Sequence, residues 1–514
     1  MRYNLLNKID ELKWKSTFFI ILSILIKILF FFFVYFLDNP NNSNLYIDYG
    51  GDTSEYMGAC ENLYSKGEYI INTLYGFSDK TFRMPGLAFI YLPLRFIFSK
   101  ENTMNGIIVF QILCSGLGTY YLSMLAKNIF KTKILFYLVF IFSNISFSLV
   151  LYNNILLTES LANSFMIFSF FFFEKGLREK RFIFFLFSGF FMTWMIFLRP
   201  YTIILYILAL LYLVYFFYKK RISVKIVLAF LISFFIIEGS WIIRNYIKVG
   251  EFIPLQTSSK FLLSKPTCEQ SKFKLVTTFG FNYEWWIKNT ESAWFNNPKQ
   301  VLNIPTPSNE IMPKIIFNGG LTIDSLILAR DYMHLVQNAD TSYNSKNGYY
   351  NYHSERIFKK FIIEYKKYQV FDYLIGSRIR LIKSFLSENY YWPLAKISYP
   401  TNMIYIAIDF FANYLIKIIG FFGLVLIVFK YKQEYLKLYL VTFVPFFIMI
   451  LFPIYFGCDE KRFFVLSIPF LVICLSYVFS RVIELKKYKY LSIFLILIVP
   501  FIFALKSTLH LIHF

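Results

Sequence analysis

Charged residues are scarce in this sequence, where they make up 16% of 514 residues, against roughly 25% in soluble domains. Hydrophobic residues make up 57%, and phenylalanine alone occupies 65 positions. A soluble core of this size could not bury so much apolar surface, so the excess must face lipid. The sequence therefore predicts an integral membrane protein.

Several other features are missing. No internal repeat of the kind found in transporters is visible, and no small-residue cleavage site follows the first apolar run, which we interpret as a retained helix. Cysteine occurs five times without metal-ligand spacing, at Cys60, Cys114, Cys268, Cys458 and Cys474. Two of these, Cys268 and Cys458, could both lie outside the cell and form a disulfide.

Acidic residues are fewer than basic ones, 31 against 53, which gives a net charge of +22. In a soluble protein this excess would suggest nucleic-acid binding. Here the basic residues fall mostly between hydrophobic runs, as the positive-inside rule describes. We therefore expect membrane lipids as surroundings and no nucleic-acid partner.

The hydrophobic runs predict an all-α, multi-pass membrane protein with about eleven spanning helices, within a range of about 10 to 13. Leu198-Arg199-Pro200 forms a turn between two of them. The predicted spans are 17–37, 104–126, 134–152, 155–173, 182–198, 201–218, 226–243, 410–429, 438–457, 463–480 and 490–505.

The basic segments set the predicted orientation in an inner or plasma membrane. Five of them alternate with the other connections and would lie in the cytoplasm with the N-terminus: 127–133, 174–181, 219–225, 430–437 and 481–489. The connections 38–103, 153–159, 199–200, 244–409 and 458–462 would then lie outside.

Residues 84–98 do not fit this alternation easily. They are apolar but short, and they contain Pro85 and Pro93. We interpret them as a re-entrant or interfacial helix; the alternative is a true crossing paired with a non-crossing segment elsewhere.

Three regions follow from this topology. Residues 1–243 form an N-terminal transmembrane module whose first outer loop is 38–103, residues 244–409 an extracytoplasmic domain, and residues 410–514 the C-terminal helices. Within the outer domain, 321–337 and 354–387 have a helical pattern. The aromatic cluster Tyr283–Trp286 favours an anchor at the membrane interface over a sugar-binding face.

Charged residues gather on the predicted outer side, which is the main indication of a site, although loop residues are often charged anyway. They are Asp48, Asp52, Glu55, Arg83, Glu159, Arg199, Glu238, Arg244, Asp459, Glu460, Lys461 and Arg462. Guanidinium groups bind phosphate well because they offer paired donors. A neighbouring carboxylate could act as general base on an acceptor hydroxyl.

Two lysines, Lys27 and Lys417, interrupt otherwise apolar spans. Lys417 could face the same outer cavity. Snorkelling to the surface, or pairing with Asp409, explains it at least as well.

Five motifs occur in an order that resembles a known family. The first outer loop reads GGDTSEYMGACENLYSKGEYI and continues to FRMPGLAFIYLPL. It is followed by LLTESL (156–161), FLRP (197–200), EGSWIIRNYIKVGEFIPLQT (238–257) and GCDEKRFFVLSIPFL (457–471). Together, over about residues 15–485, they resemble the C-type (GT-C fold) integral membrane glycosyltransferases. The nearest branch is that of protein mannosyltransferases and aminoarabinose transferases.

The resemblance implies an inverting transferase that moves a sugar from a polyprenyl-phosphate donor to an extracytoplasmic glycan, lipid or protein acceptor. It implies Asp52 as catalytic base, with Asp48 and Glu55 as the other candidates. The residues implied as donor-phosphate contacts are Arg83, Arg199, Arg244, Arg462 and Lys417. Those implied to orient these groups are Glu159, Glu238, Glu460, Asn245 and Tyr56.

Two positions depart from the family pattern. Many relatives carry a second acidic residue directly after the Asp, where this chain has Thr53, and Met84 stands where proline is common. These departures leave the choice of base open. They also leave open whether a divalent metal is used; no cofactor is otherwise implied.

Two alternative functions belong to other classes. A polysaccharide polymerase or ligase with a lipid-diphosphate donor would need arginines and a histidine such as His334 or His353, and would not need Asp52. A lipid or sugar transporter would place polar residues at mid-membrane in two related halves. A non-catalytic protein that keeps the fold is a third reading.

Overall fold

The hydrophobic runs of the sequence are helices in the computed structural model of the chain. The structure describes residues 15–38, 45–47, 51–72, 78–257, 266–280, 317–338, 345–387, 410–452, 454, 461–484, 496–498 and 500–504.

The N-terminal half contains ten helices in the ranges described. They are α1 (Lys15–Asp38), α2 (Gly51–Lys66), α3 (Ala88–Arg95), α4 (Lys100–Phe130), α5 (Lys133–Ile145), α6 (Phe147–Leu151), α7 (Glu159–Glu179), α8 (Phe182–Leu198), α9 (Ile203–Tyr218) and α10 (Val224–Val249). A hairpin of two short antiparallel strands, β1 (Ile71–Asn72) and β2 (Ser78–Asp79), lies between α2 and α3.

The remaining described helices are α11 (Thr267–Thr278), α12 (Ile323–Asn338), α13 (Ser345–Tyr368), α14 (Ser377–Ser387), α15 (Phe410–Lys430), α16 (Tyr435–Leu451) and α17 (Ile468–Glu484). A 3-10 segment, Lys461–Ser467, leads directly into α17.

Six helical stretches in the described residues are long and apolar enough to cross a membrane. They are Ser16–Phe33, Lys100–Phe130, Pro200–Tyr218, Val224–Val249, Phe410–Lys430 and Phe463–Glu484; three shorter apolar helices are Lys133–Ile145, Phe182–Leu198 and Tyr435–Leu451. The chain is therefore an all-α, multi-pass membrane protein, as the sequence predicts. The number eleven stays a prediction, and the last predicted span lies largely outside the described residues.

The span predicted as one helix over 134–152 is broken in the structure, so that prediction is wrong in its detail. α5 ends at Ile145, Ser146 adopts an extended conformation with ψ of 102°, and α6 follows. The next helix begins at Glu159 instead of residue 155. The non-helical backbone between α6 and α7 is bound by a segment remote in sequence: Ile47 pairs with Ile155 as an isolated parallel bridge.

Residues 84–98 contain only the eight-residue helix α3. At about 1.5 Å per residue it extends roughly 12 Å, far less than the ~30 Å of a bilayer core. The short length of α3 therefore agrees with the interpretation of residues 84–98 as a re-entrant or interfacial helix.

The chain divides into two compact units. The first comprises Met1–Gln256, Asn389–Pro445 and Val465–Phe514, and the second comprises Thr257–Glu388 and Phe446–Phe464. The division into regions predicted from the sequence stays a prediction.

In the first unit, α7 is the central element, buried along almost its whole length and packed against α4 and α8. Small residues allow such helices to approach closely in a membrane. On α8, a Cβ added at Gly189 would lie 2.2 Å from the carbonyl oxygen of Phe230 on α10. Any larger side chain there would push α8 and α10 apart.

In the second unit, α11, α12 and α13 pack around one apolar core. The helix predicted over 321–337 is found as α12. The helix predicted over 354–387 begins earlier, at Ser345, and is interrupted between α13 and α14 by a wide turn at Asp372–Gly376. Cys268 lies in this core with a free thiol, so the disulfide considered with Cys458 is not formed. The aromatic cluster Tyr283–Trp286 lies outside the described residues.

Candidate active site

The candidate site is built around the first turn of α2. Asp52, Glu55 and Tyr56 are three and four residues apart, a spacing that puts them on one face of the helix. Arg83 reaches this face from the segment after β2. Its Nη2 donates to Asp52 Oδ1 at 2.7 Å and to Glu55 Oε2 at 2.9 Å, and its Nε lies 3.3 Å from Glu55 Oε2.

Aromatic rings enclose the guanidinium of Arg83. Its Cζ lies 5.0 Å from the ring centre of Tyr56 and 5.1 Å from that of Phe82, within the range of cation–π attraction. The side chains keep some access to solvent, with 15% exposure for Arg83 and 19% for Asp52. Burial opposes the charge of Arg83, but Tyr56, Asp52 and Glu55 outweigh it and raise its pKa above the ordinary value. Arg83 is therefore a permanent cation within reach of an approaching anion.

Backbone contacts fix the segment that carries Arg83. The indole Nε1 of Trp194 on α8 donates to Gly86 O at 3.0 Å, and Tyr69 Oη donates to Met84 O at 3.2 Å. A Cβ added at Gly86 would lie 2.6 Å from Phe197 O, so only glycine permits this approach to the end of α8. The Arg-x-Pro-Gly motif thus docks Arg83 against α8.

The start of α2 is also attached to the segment before α7. The hydroxyl of Thr53 lies 3.4 Å from Leu156 O, and Ile47 N donates to Asn154 O at 2.8 Å. From α4, Gln111 Nε2 donates to Asn153 O at 3.1 Å and to Ile155 O at 3.0 Å. These bonds connect the backbone next to Asp52 with the turn that leads to Glu159.

A second pair of predicted residues meets inside the bundle. Glu159 begins α7, Arg199 ends α8, and the two form an ion pair. Their side chains are only 1% and 5% exposed. A pair taken so completely out of water must satisfy each other's charge, since removing one partner leaves the other uncompensated.

Arg244 and Asn245, on the last turns of α10, donate hydrogen bonds to backbone carbonyl groups. Arg244 Nη1 donates to Lys80 O at 2.6 Å and to Asn245 Oδ1 at 2.9 Å, and Nη2 donates to Tyr69 O at 2.9 Å. Asn245 Nδ2 in turn donates to Ile253 O at 2.9 Å. Two of the guanidinium nitrogens therefore hold residues on either side of the β1–β2 hairpin.

The other predicted site residues are less closely connected to this cluster. Glu238 on α10 is 1% exposed, and its carboxylate has no hydrogen-bond partner among the described residues. Lys417 lies half-buried in a widened turn of α15, Leu415–Ile419. Asp48 and Glu460, like Asp459, lie outside the described residues. The side chain of Arg462 does as well, although its backbone belongs to the 3-10 segment before α17.

Sequence reasoning did not single out Gln111 or Trp194. A glutamine in an apolar span is a signal in itself, because a buried amide must find partners, and Gln111 binds two carbonyls of the turn before α7. Trp194 carried no such signal. Its role depends on the tertiary position of Gly86.

Within the described ranges, no group of three His, Cys, Asp or Glu side chains comes together in a geometry that could hold a metal ion. Asp52 and Glu55 form a carboxylate pair whose charge is met by Arg83.

The fold and the cluster together define a multi-pass membrane protein with a carboxylate–guanidinium site in the segment that follows its first spanning helix. Residues 85–242 match the sequence model of the family described as dolichyl-phosphate-mannose-protein mannosyltransferase. This similarity supports a membrane glycosyltransferase of the GT-C type that uses a polyprenyl-phosphate sugar. A search of curated proteins finds no match.

The match covers less than half of the chain. It includes Glu159, Arg199 and Glu238, and it ends just short of Arg244. Asp52, Glu55 and Arg83 lie before its first residue, so their assignment depends on the resemblance of the first loop and on geometry.

Proposed function

We propose that the chain transfers a sugar from a polyprenyl-phosphate donor to a glycan, lipid or protein acceptor on the extracytoplasmic side, with inversion at the anomeric carbon. The observation that carries this proposal is the contact of Arg83 with both Asp52 and Glu55. It combines a candidate base and a candidate phosphate ligand in one partly exposed site.

Asp52 is the proposed general base. Its carboxylate takes the proton of the acceptor hydroxyl while that oxygen attacks the anomeric carbon. The bond from this carbon to the phosphate oxygen breaks, and polyprenyl phosphate leaves with the bonding electrons. Loss of a general base costs roughly 10²–10⁴-fold in rate. Glu55 binds the same edge of Arg83, through Nη2 and Nε, and Asp48 is the second choice for the base.

Arg83 is the proposed contact to the donor phosphate. Its hydrogen bonds to the two carboxylates use Nε and Nη2, and Nη1 makes none of the hydrogen bonds seen among the described residues. A guanidinium with one edge bound to carboxylates can present its remaining donors to a phosphate oxygen. In a site with little water, such a contact stabilises the charge that develops on the leaving group. Tyr56 keeps the guanidinium oriented.

The remaining residues have supporting roles in this proposal. Glu159 holds Arg199 at the end of α8, which maintains the position of Gly86 and the segment before it. Arg244 and Asn245 position the β1–β2 hairpin, so we propose a positioning role for Arg244 rather than a phosphate contact. Arg462 and Lys417 stay proposed contacts to the donor phosphate, and Glu238 and Glu460 stay proposed orienting residues.

The test is a donor-consumption assay on the full-length protein in detergent. A panel of polyprenyl-phosphate sugars is incubated with candidate acceptors, with and without divalent metal, and released polyprenyl phosphate is measured. We expect turnover by the wild type and a loss of at least about 100-fold in Asp52→Asn. Glu179→Gln is the matched control, because Glu179 lies at the end of α7 opposite to Glu159. This variant should consume the donor at the wild-type rate.

Two results would contradict the proposal. Near-normal turnover by Asp52→Asn would move the base elsewhere, with Asp48→Asn the next variant. Consumption of lipid-diphosphate donors in place of lipid-phosphate ones would favour the polymerase or ligase reading, as would loss of activity in His353→Ala.

A further inference from the structure

Lys27 lies in the middle of the membrane-spanning helix α1 and does not reach the surface. Its side chain is 1% exposed, so it is not snorkelling. Its Nζ makes no hydrogen bond in the described part of the chain, and no ion pair involves it there. An ammonium at membrane depth without a partner is costly, and such residues usually mark a site.

A cavity of about 20 Å³ lies against Lys27 inside the first unit. Apart from Lys27, its polar wall comes from four parts of the chain and consists of hydroxyl and amide side chains. These include Ser115 and Thr119 on α4, Ser143 on α5, Asn153 before α7, and Ser160 and Asn163 on α7. No carboxylate is among the lining residues. The lining therefore carries one positive charge, with no acidic side chain to balance it.

Two donors in this wall have no partner among the described residues: Ser143 Oγ and Asn153 Nδ2. The amide of Asn153 is oriented by Ser160, whose Oγ donates to Asn153 Oδ1 at 2.6 Å. That contact leaves Nδ2 as the group that still needs an acceptor. Buried donors without acceptors are rare in proteins and call for an explanation such as a bound ion.

One acceptor also faces this space. Asn163 donates through Nδ2 to Val465 O at 3.2 Å, which leaves its Oδ1 without a partner among the described residues. An ammonium has three protons, so Lys27 can give one to Asn163 Oδ1 and still present two.

We propose that this cavity binds one small monovalent anion, chloride under cellular conditions, which neutralises the ammonium of Lys27. The volume admits a single water-sized particle and excludes a phosphate or a sugar. The anion receives hydrogen bonds from Lys27, Ser143 and Asn153, all three on different elements. It thereby ties α1, α5 and the turn before α7 together, and it is distinct from the donor site at Arg83.

The test measures thermal unfolding of the purified full-length protein in detergent. Sodium gluconate is replaced stepwise by sodium chloride at constant ionic strength. An ion that binds only the folded state raises Tm with a saturable dependence on its concentration. We expect a rise of at least about 2 °C for the wild type, and none when sulfate replaces gluconate.

Three variants make the result specific. Lys27→Met should lose the chloride response and, in gluconate, should melt above the wild type, because the unbalanced charge is gone. Ser143→Ala should fold normally and need roughly tenfold or more chloride for half-saturation, the effect of one hydrogen bond to a charged group. Lys225→Met, an exposed lysine in the first turn of α10, should respond like the wild type.

The proposal is overturned if the wild type shows no saturable response, or if Lys27→Met responds as the wild type does. Should Lys27→Met fail to fold, an unchanged half-saturation in Ser143→Ala overturns it equally. A response shared by all four proteins would mean a general salt effect on the surface.

Discussion

One nitrogen of Arg83, Nη2, donates to both Asp52 Oδ1 at 2.7 Å and Glu55 Oε2 at 2.9 Å. Helical spacing places the two carboxylates on one face of α2, and Nε of Arg83 adds a further contact to Glu55 Oε2 at 3.3 Å. A charge without the planar fork of a guanidinium could neutralise them but could not fix both in place. The site thus depends on the geometry of Arg83 as well as on its charge.

Replacing Arg83 with lysine should consequently lower turnover by at least about tenfold, because a single ammonium nitrogen cannot reproduce the contacts made by both Nε and Nη2. The measurement is kcat and KM for the donor in the consumption assay. If Arg83 also contacts the donor phosphate, KM should rise as well.

Arg95→Lys is the matched control for that experiment. Arg95 binds the carboxylate of Glu61 in a similar way, through Nε at 3.1 Å and Nη2 at 3.2 Å, but away from the candidate site. Its replacement should alter stability alone. Equal losses of turnover in the two variants would mean that Arg83 has no special part in the reaction.

Arg244→Gln should destabilise the protein by about 1–3 kcal/mol, because Tyr69 O and Lys80 O lose their charged donor. The KM for the donor should change little if Arg244 binds only the backbone carbonyl groups of Tyr69 and Lys80 and no phosphate. Thermal unfolding and the consumption assay together decide between the two roles. The control is Lys248→Gln on the same helix, whose exposed pair with Glu68 contributes at most about 1 kcal/mol. A large rise in KM with unchanged Tm would restore Arg244 as a phosphate contact.

The sequence predicts the membrane class and most helices because hydrophobic length and basic connections are local signals. It also brings Asp52, Glu55 and Arg83 to one segment, since helical spacing and a short loop are enough to suggest their proximity. It cannot predict that Arg244 binds the carbonyl of Tyr69, because backbone acceptors have no residue signature. The non-helical backbone at 153–156 escaped for a similar reason: Gln111 and Ile47, which bind it, are remote in sequence.

The buried pair Glu159–Arg199 allows a test by double-mutant cycle. Glu159→Gln or Arg199→Met alone should cost about 3–5 kcal/mol, since each leaves one uncompensated buried charge. The double variant should lose far less than the sum, because neither charge is left. Arg481→Gln is the control, because its pair with Glu484 on α17 is exposed; it should cost less than about 1 kcal/mol. Additive losses would show that the two side chains are not coupled.

The ion pair between Arg380 and Asp372 should make the stability of the second unit depend on pH. Arg380 binds Asp372 with both ends of its guanidinium, Nη1 to Oδ1 at 2.8 Å and Nη2 to Oδ2 at 2.6 Å, while its Nε donates to Phe279 O at 3.0 Å. Tyr365 Oη also donates to Asp372. The hydrogen bonds from Arg380 and then Tyr365 lower the pKa of Asp372 below its ordinary value, against the opposing effect of burial.

A carboxylate whose pKa is lowered by folding contributes stability above its unfolded pKa, about 3.9 for Asp, and that contribution is lost as pH falls through the folded pKa. Asp372→Asn should therefore speed hydrogen exchange in the peptide 365–387 at pH 7, after correction for intrinsic exchange. The difference from the wild type should shrink below about pH 4, where the carboxylate of the unfolded turn becomes protonated and that of the folded turn follows at lower pH. Asp324→Asn, an exposed carboxylate on α12, serves as the control. A difference that stays constant from pH 7 to pH 3 would mean that the charge of Asp372 does not stabilise this turn.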